Sequence, residues 1–164
     1  MVSITTHPED RIAMTETVAN DARRGDPYAL ERFVEAQAPV YANVLAELRR
    51  GHKASHWMWF VFPQIAGLGG SPMAIRYAIA SLAEARAYLD HPVLGTRLRE
   101  CCEILLGIDG RNAEEIFGYP DVLKLRSSLT LFARASRQGD SVFDTLLAKY
   151  YDGKPDPQTL ALID

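Results

Sequence analysis

Apolar residues at helical spacing are the feature that most limits what this chain can fold into. Leu94, Leu98 and Leu105 recur at intervals of four and seven residues, with charged residues between them. This spacing places them on one face of a helix, which is typical of a helix with a buried side and an exposed side. No stretch alternates apolar and polar residues for long. We therefore predict a single compact all-α domain of about eight helices.

Capping residues predict where several helices begin. Ser81 and Glu84 have the spacing of a capping box, in which each side chain bonds the backbone of the other residue. This pattern predicts a helix over Leu82–Asp90. Similar signals predict helix starts at Asp26-Pro27, Pro39, Ser71-Pro72 and Asn112, and helices over residues 94–108, 121–135 and 142–151.

The 164 residues suit one domain, and 48% hydrophobic with 24% charged residues is an ordinary globular composition. Residues 1–24 are polar and lack a strong apolar face, so we predict a tail or a loosely docked helix there. The helical domain is predicted to cover residues 25–164. The chain starts without a secretory signal, and no apolar run approaches the length of a membrane span. We therefore expect a cytoplasmic protein with no membrane partner.

The charged and metal-ligating residues predict few kinds of partner. The 18 Lys and Arg residues are scattered and outnumbered by 21 Asp and Glu residues, so we expect no nucleic-acid partner. His52 and His56 would share one helix face, as metal ligands can, but no third ligand accompanies them. We expect no metal and no cofactor, and make no prediction of the oligomeric state. The adjacent Cys101 and Cys102 are expected to be reduced, partly buried helix residues.

The segment WMWFVFPQ, residues 57–64, holds both tryptophans of the chain. Its apolar residues stand in a row before a proline and follow neither the helical nor the strand period. A buried segment explains the apolar side chains. It explains less easily the polar residues on either side of them, His56 and Gln64. The other interpretation is that the segment forms the wall of a binding site. Both interpretations stay open.

We predict a cleft for a small, flat, anionic ligand such as a nucleotide. Aromatic faces would stack a ring, and Arg or Lys side chains would take the charge. The predicted side chains of this site are His56, Trp57, Trp59, Gln64, Arg76, Tyr77, Lys124 and Ser128. Whether the protein is an enzyme is left open. If it is, His56 is the candidate acid or base and Asp121 the candidate carboxylate.

Asp121, Lys124 and Ser128 fall on one edge of the helix predicted over residues 121–135. These polar groups form either an internal network of ion pairs and hydrogen bonds or the edge of the cleft. The alternative function is a non-catalytic scaffold or protein-interaction domain, with the aromatic segment as core or interface. That alternative predicts a filled core or a flat exposed aromatic patch in place of a cleft.

Several stretches of the chain resemble one family. They are RFVEAQ (32–37), YANVLAELRRG (41–51), SHWMWFVFPQ (55–64), GLGGSPMAIRYAI (67–79), EARAYLDHPVLGTRLREC (84–101), EEIFGYPDVLKLRSSLTLF (114–132) and FDTLLAKYYDGKPDPQTL (143–160). Together they resemble a bacterial family defined by the domain of unknown function 1810. The resemblance implies an all-helical fold. It implies no particular activity, cofactor or set of site residues.

Overall fold

The computed structural model describes residues 25–137 and 142–163. The tail or loosely docked helix predicted for residues 1–24 lies outside the described residues. A short unit ends at Glu31, and a larger helical unit runs from Arg32 onwards. The domain boundary at residue 25 stays a prediction.

Ten helices lie in the described residues. They are α1 (Glu31–Gln37), α2 (Tyr41–Arg49), α3 (Met58–Val61), α4 (Pro72–Arg76), α5 (Leu82–Asp90), α6 (Leu94–Leu106), α7 (Ala113–Phe117), α8 (Asp121–Ala135), α9 (Val142–Tyr151) and α10 (Pro157–Ile163). The same residues contain no strand, and Ile65 and Ile79 form one isolated parallel bridge. The predicted all-α class is confirmed. There are more helices than predicted because single-turn helices such as α3 are too short to show a period.

Local capping sets several of these helix boundaries, as predicted. Ser81 Oγ accepts a hydrogen bond from the backbone N–H of Glu84 (3.1 Å), and α5 covers the predicted residues. Asn112 Oδ1 accepts from the N–H of Glu115 (2.8 Å), while a Glu115 carboxylate oxygen accepts from the N–H of Asn112 (2.9 Å). These bonds satisfy backbone donors that have no partner inside the helix.

The helix start predicted at Asp26-Pro27 and the capping box predicted at Ser81 differ from the structure. The Asp26 carboxylate accepts from the backbone N–H groups of Leu30 (2.8 Å) and Glu31 (3.0 Å), so α1 begins at Glu31 rather than at Pro27. The capping box at Ser81 is incomplete. Glu84 Oε1 accepts from the N–H of Ala80 (3.2 Å) instead, and its Oε2 pairs with Arg32 (3.1 Å).

The core of the larger unit lies between α5, α6, α8 and α9. Helix α8 packs against α5, α7, α9 and α10, and α6 packs against α2, α5 and α9. Tyr88, Phe132 and Phe143 fill this core, with ring centroids 5.2 to 5.8 Å apart along the row. Cys101 and Cys102 are buried in α6, and burial raises the pKa of the Cys101 thiol to about 12. The thiol is therefore protonated at neutral pH.

Candidate ligand-binding cleft

The buried carboxylate of Glu47, on α2, anchors the start of the aromatic segment. Its Oε1 accepts from the backbone N–H groups of Ala54 (2.5 Å) and Ser55 (2.9 Å) and from Trp57 Nε1 (3.2 Å). Its Oε2 accepts from Ser55 Oγ (2.5 Å) and Asn43 Nδ2 (2.5 Å). Burial disfavours the ionised form, but these hydrogen bonds, led by that of the Ser55 hydroxyl, outweigh burial and lower the pKa of Glu47 to about 2.

Trp57 is a core residue rather than a wall of a binding site. Its side chain is 1% exposed, and its ring lies 6.3 Å from that of Phe62 and 6.4 Å from that of Phe117, centroid to centroid. The bond to Glu47 satisfies the one polar atom of the indole, which removes the cost of burying it. In the helix that follows, Met58 and Phe60 are buried as well.

Trp59 lies in the wall of a cleft of about 430 Å³. The Nζ atom of Lys124, on α8, lies 4.7 Å from the centroid of the Trp59 ring, which is a cation–π geometry. The other lining residues come from the loop before α4, from α4 itself, from α8 with the residue before it, and from α10. They are Gln64, Leu68, Gly69, Gly70, Ser71, Ala74, Pro120, Leu123, Ser127 and Gln158.

Asp121 links the cleft to the core through two lysines. Its Oδ1 lies 3.3 Å from Lys124 Nζ, and its Oδ2 lies 2.7 Å from Lys53 Nζ. The Lys53 side chain is 5% exposed, donates to the backbone oxygen of Ser55 (2.5 Å) and lies 4.9 Å from the centroid of the Trp57 ring. Two ammonium groups thus share one carboxylate, which leaves one net positive charge at the edge of the cleft.

The structure brings only some of the predicted site residues together. Trp59, Gln64 and Lys124 line the cleft. Tyr77 lines a small adjoining cavity of about 20 Å³, which shares Trp59 and Gln64 with the cleft. Asp121 stands behind Lys124 as its ion-pair partner. The edge of α8 therefore contains a network of ion pairs and also forms part of the cleft wall. The sequence alone presented these two arrangements as alternatives.

His56, Arg76 and Ser128 do not line the cleft, in contrast to the predicted convergence. His56 is exposed at the surface before the buried Trp57. Arg76 is exposed at the end of α4, with its guanidinium carbon 5.5 Å from the centroid of the Tyr77 ring. Ser128 is 1% exposed, and its hydroxyl has no hydrogen-bond partner among the described residues. The helical wheel placed it beside Lys124, but packing turns that position into the core.

The cleft contains residues that the sequence did not single out as ligand-binding. Ser127 lines the cleft, and its Oγ donates either to the backbone oxygen of Leu123 (3.2 Å) or to Asp156 Oδ2 (3.1 Å). Its position three residues after Lys124 on α8 could have predicted that it lies on the same side of the helix as Lys124. Gln158 comes from α10, and nothing in the sequence relates it to Trp59. Its place in the cleft follows from tertiary packing alone.

Glu47 was also missed by sequence reasoning. It lies three residues after Val44, on the apolar stripe of α2, and a carboxylate on such a stripe indicates a buried polar partner.

In the described residues, no helix is long and apolar enough to cross a membrane. Nor is any group of three His, Cys, Asp or Glu side chains there placed to hold a metal ion.

These features define a small helical protein with an aromatic cleft that carries one cation. The chain belongs to the family described as "Protein of unknown function (DUF1810)", which matches residues 27–163. It is similar in structure to the conserved hypothetical protein Rv1873 from Mycobacterium tuberculosis. The TM-score is 0.82 at 59% sequence identity, and the match covers 84% of this chain and 97% of that one. No curated protein matches the chain.

Proposed function

We propose that this protein binds a small anionic ligand with a flat ring, such as a nucleotide, in the cleft beside Trp59. The observation that carries the proposal is the position of the Lys124 ammonium, which lies 4.7 Å from the Trp59 ring centroid at the wall of a cleft of about 430 Å³. This size falls within the roughly 300 to 1,000 Å³ of small-molecule sites. An aromatic face and a cation in one wall suit a ring with an attached anionic group.

The charge and polarity of the lining support an anion over a cation. Lys124 is the only charged side chain among the lining residues. Asp121 is shared with Lys53 and therefore does not cancel the charge of Lys124. The Ser71 and Gln158 side chains add polar groups that can bond the polar edge of a ring.

We assign ligand binding, and no reaction, to this cleft. Neither of the two candidate catalytic residues lines the cleft, since His56 lies elsewhere on the surface and Asp121 is held in ion pairs with Lys53 and Lys124. The cytoplasmic location expected from the sequence stays a prediction. We propose no partner protein that would contribute catalytic residues.

The test is a thermal-shift panel of nucleoside monophosphates and their unphosphorylated nucleosides, followed by tryptophan fluorescence. A ligand at a hundred times its Kd stabilises the protein by about 2.7 kcal/mol, which raises Tm by several degrees. The chain has two tryptophans, and Trp57 is buried, so stacking on Trp59 should quench about half of the emission. We expect the nucleotides to bind more tightly than the nucleosides because Lys124 recognises the phosphate.

The test variant is Lys124→Met, and its matched control is Lys154→Met. Both replace a lysine by an apolar side chain of similar length, but Lys154 is exposed and does not line the cleft. Lys124→Met should weaken nucleotide binding by about tenfold, as expected for a hydrogen bond to a charged group, while Lys154→Met leaves it unchanged. Equal binding by the wild type and Lys124→Met would rule out the proposed role of this cleft.

One observation favours the alternative, a protein-interaction domain. Leu123 lines the cleft and is 52% exposed, and Tyr119, beside Pro120 in the cleft wall, is 76% exposed. Large apolar side chains at a surface are typical of interaction sites. This hypothesis predicts that no member of the panel binds. It also predicts that a hydrophobic dye binds the wild type but not the Tyr119→Ser, Leu123→Ser double variant.

A further inference from the structure

A second cleft, of about 410 Å³, lies between the end of α2 and the end of α6. It shares no lining residue with the cleft beside Trp59. Arg49 and Arg50 reach it from the end of α2, and Arg111 reaches it from the loop before α7. These arginines include the only Arg-Arg pair within the described residues.

Gly51 brings Arg111 close to this pair. The backbone of Gly51 has a φ of +70°, a conformation that glycine adopts without strain. A Cβ atom built on Gly51 would lie 3.0 Å from Arg111 Cδ and 3.4 Å from its Nε. The Arg111 side chain therefore lies directly against the Gly51 backbone, where any larger residue would displace it. Arg111 thus lies against the turn that ends α2 and lines the same cleft as Arg49 and Arg50.

The three guanidinium groups are not used to hold the fold together. None of them has a hydrogen bond or ion pair to a residue in the described part of the chain, although Glu103 and Asp109 also line the cleft. The lining charges therefore sum to one net positive charge. Like charges that line one cleft repel each other, so three guanidinium groups without an ion-pair partner indicate a site for an external anion.

Hydrogen bonding of the carbonyls at the two helix ends does not account for these arginines. The exposed carbonyls at the end of α6 are bonded by Lys149 instead, whose Nζ donates to the oxygens of Leu105 (3.1 Å), Leu106 (2.7 Å) and Ile108 (2.5 Å). At the end of α2, the backbone N–H of Gly51 donates to the Leu48 oxygen (2.9 Å). The carbonyls at both helix ends are thus bonded without the arginine side chains.

We propose that the cleft of Arg49, Arg50 and Arg111 binds the phosphoryl group of a phosphorylated small molecule. Guanidinium groups bond phosphate oxygens in pairs, and three of them around one cleft match a group that has several oxygens and a double negative charge. The Gly51 turn orients Arg111 for this contact before a ligand binds. This site is separate from the proposed nucleotide cleft and does not depend on it.

The test is isothermal titration calorimetry of the full chain with pyrophosphate, at low and at moderate salt. The variants are Arg50→Gln and Arg111→Gln, with Arg111→Lys as the milder change that keeps the charge. The matched control is Arg86→Gln, because Arg86 is exposed on α5 and lines neither cleft. Lys124→Met tests whether pyrophosphate enters the other cleft. Circular dichroism establishes that each variant is folded.

We expect Arg50→Gln and Arg111→Gln each to weaken pyrophosphate binding by about tenfold, and Arg111→Lys to weaken it less. Arg86→Gln should bind like the wild type, and Lys124→Met should retain the pyrophosphate binding that depends on Arg50 and Arg111. Equal weakening by Arg86→Gln would mean diffuse attraction to surface charge and would overturn the proposal. Loss of binding in Lys124→Met alone would also overturn it and would favour the cleft beside Trp59. No binding by the wild type would overturn this site and leave the nucleotide panel unaffected.

Discussion

The aromatic segment, residues 57–64, has a core side at Trp57 and a cleft side at Trp59. The two sides use the same kinds of residue for different purposes. Trp57 and Trp59 are two positions apart, and each has a lysine ammonium over its ring, at 4.9 and 4.7 Å from the centroid. Both lysines pair with the same carboxylate, Asp121. Trp57 is nevertheless fully buried, whereas Trp59 lines a cleft.

The difference comes from the surroundings of each indole rather than from its immediate partner. Glu47 takes the N–H of Trp57 inside the core, so the whole indole can be buried without an unpaired polar atom. Trp59 lies beside a loop of small residues, Gly69 and Gly70, which leaves open space next to its ring. Identical residue types and similar cation contacts therefore say little about which side chain is available to a ligand.

The largest expected effect separates the two tryptophans directly. Trp57→Ala should lower the free energy of unfolding by about 4 kcal/mol, because it empties a large buried volume and leaves a bond of Glu47 unmade. Trp59→Ala should lower it by about 1 kcal/mol, because part of its surface is already exposed. Urea unfolding measures both. Similar losses would contradict the division into core and cleft sides.

A second expectation concerns the pH dependence on the core side. The pKa of Glu47 is lowered to about 2 in the folded protein, below the usual value near 4.5. The stabilisation by this carboxylate is therefore fully present above about pH 4.5 and is lost as the pH falls towards 2. Its size is about 3 kcal/mol, from about 1.4 kcal/mol for each pKa unit.

The comparison that isolates this effect is between the wild type and Glu47→Gln. Urea unfolding at several pH values should show the wild type more stable at neutral pH, with the difference shrinking as the pH falls from 4.5 towards 2. Glu35→Gln, on the exposed surface of α1, is the control and should show no such trend. A difference that stays constant with pH would show that folding does not lower the pKa of Glu47.

The two lysines offer a smaller contrast. Lys53→Met should lower the free energy of unfolding by about 2 kcal/mol, because its buried ammonium bonds both Ser55 and Asp121. Lys124→Met should cost no more than about 1 kcal/mol, since its ion pair with Asp121 is partly exposed to solvent. Added salt should reduce only the second loss. If Lys124→Met destabilised the protein more than Lys53→Met, the lysine that stabilises the fold would be the one on the cleft side, which would contradict this expectation.

Neighbouring serines on α8 give the smallest expected effect. The Ser127 hydroxyl donates to Leu123 or to Asp156 at the cleft, whereas the buried Ser128 hydroxyl lacks a partner among the described residues. Ser127→Ala should therefore cost about 1 kcal/mol in the free energy of unfolding. Ser128→Ala should be neutral or stabilising by a few tenths of a kcal/mol, because it removes an unsatisfied group. Thermal unfolding of the two variants compares them, and a clear loss on Ser128→Ala would reveal a partner for its hydroxyl.

Much of the fold could be predicted because helix boundaries depend on nearby residues. Helices α5, α8 and α9 cover the predicted ranges. Capping bonds at Ser81 and Asn112 join residues three positions apart, which a sequence pattern can show. The candidate site could be predicted only in part. Trp59, Gln64 and Lys124 line the cleft, while His56, Arg76 and Ser128 do not.

The sequence by itself determined the all-α class, the positions of the capped helices and the residue types around the aromatic segment. Tertiary structure alone decided that Trp57 enters the core, that Asp121 joins Lys53 to Lys124, and that α10 contributes to the cleft wall. The physical reason is the range of the interactions. Helix caps act within one turn, whereas burial and ion pairing depend on residues dozens of positions apart that meet only in the folded chain.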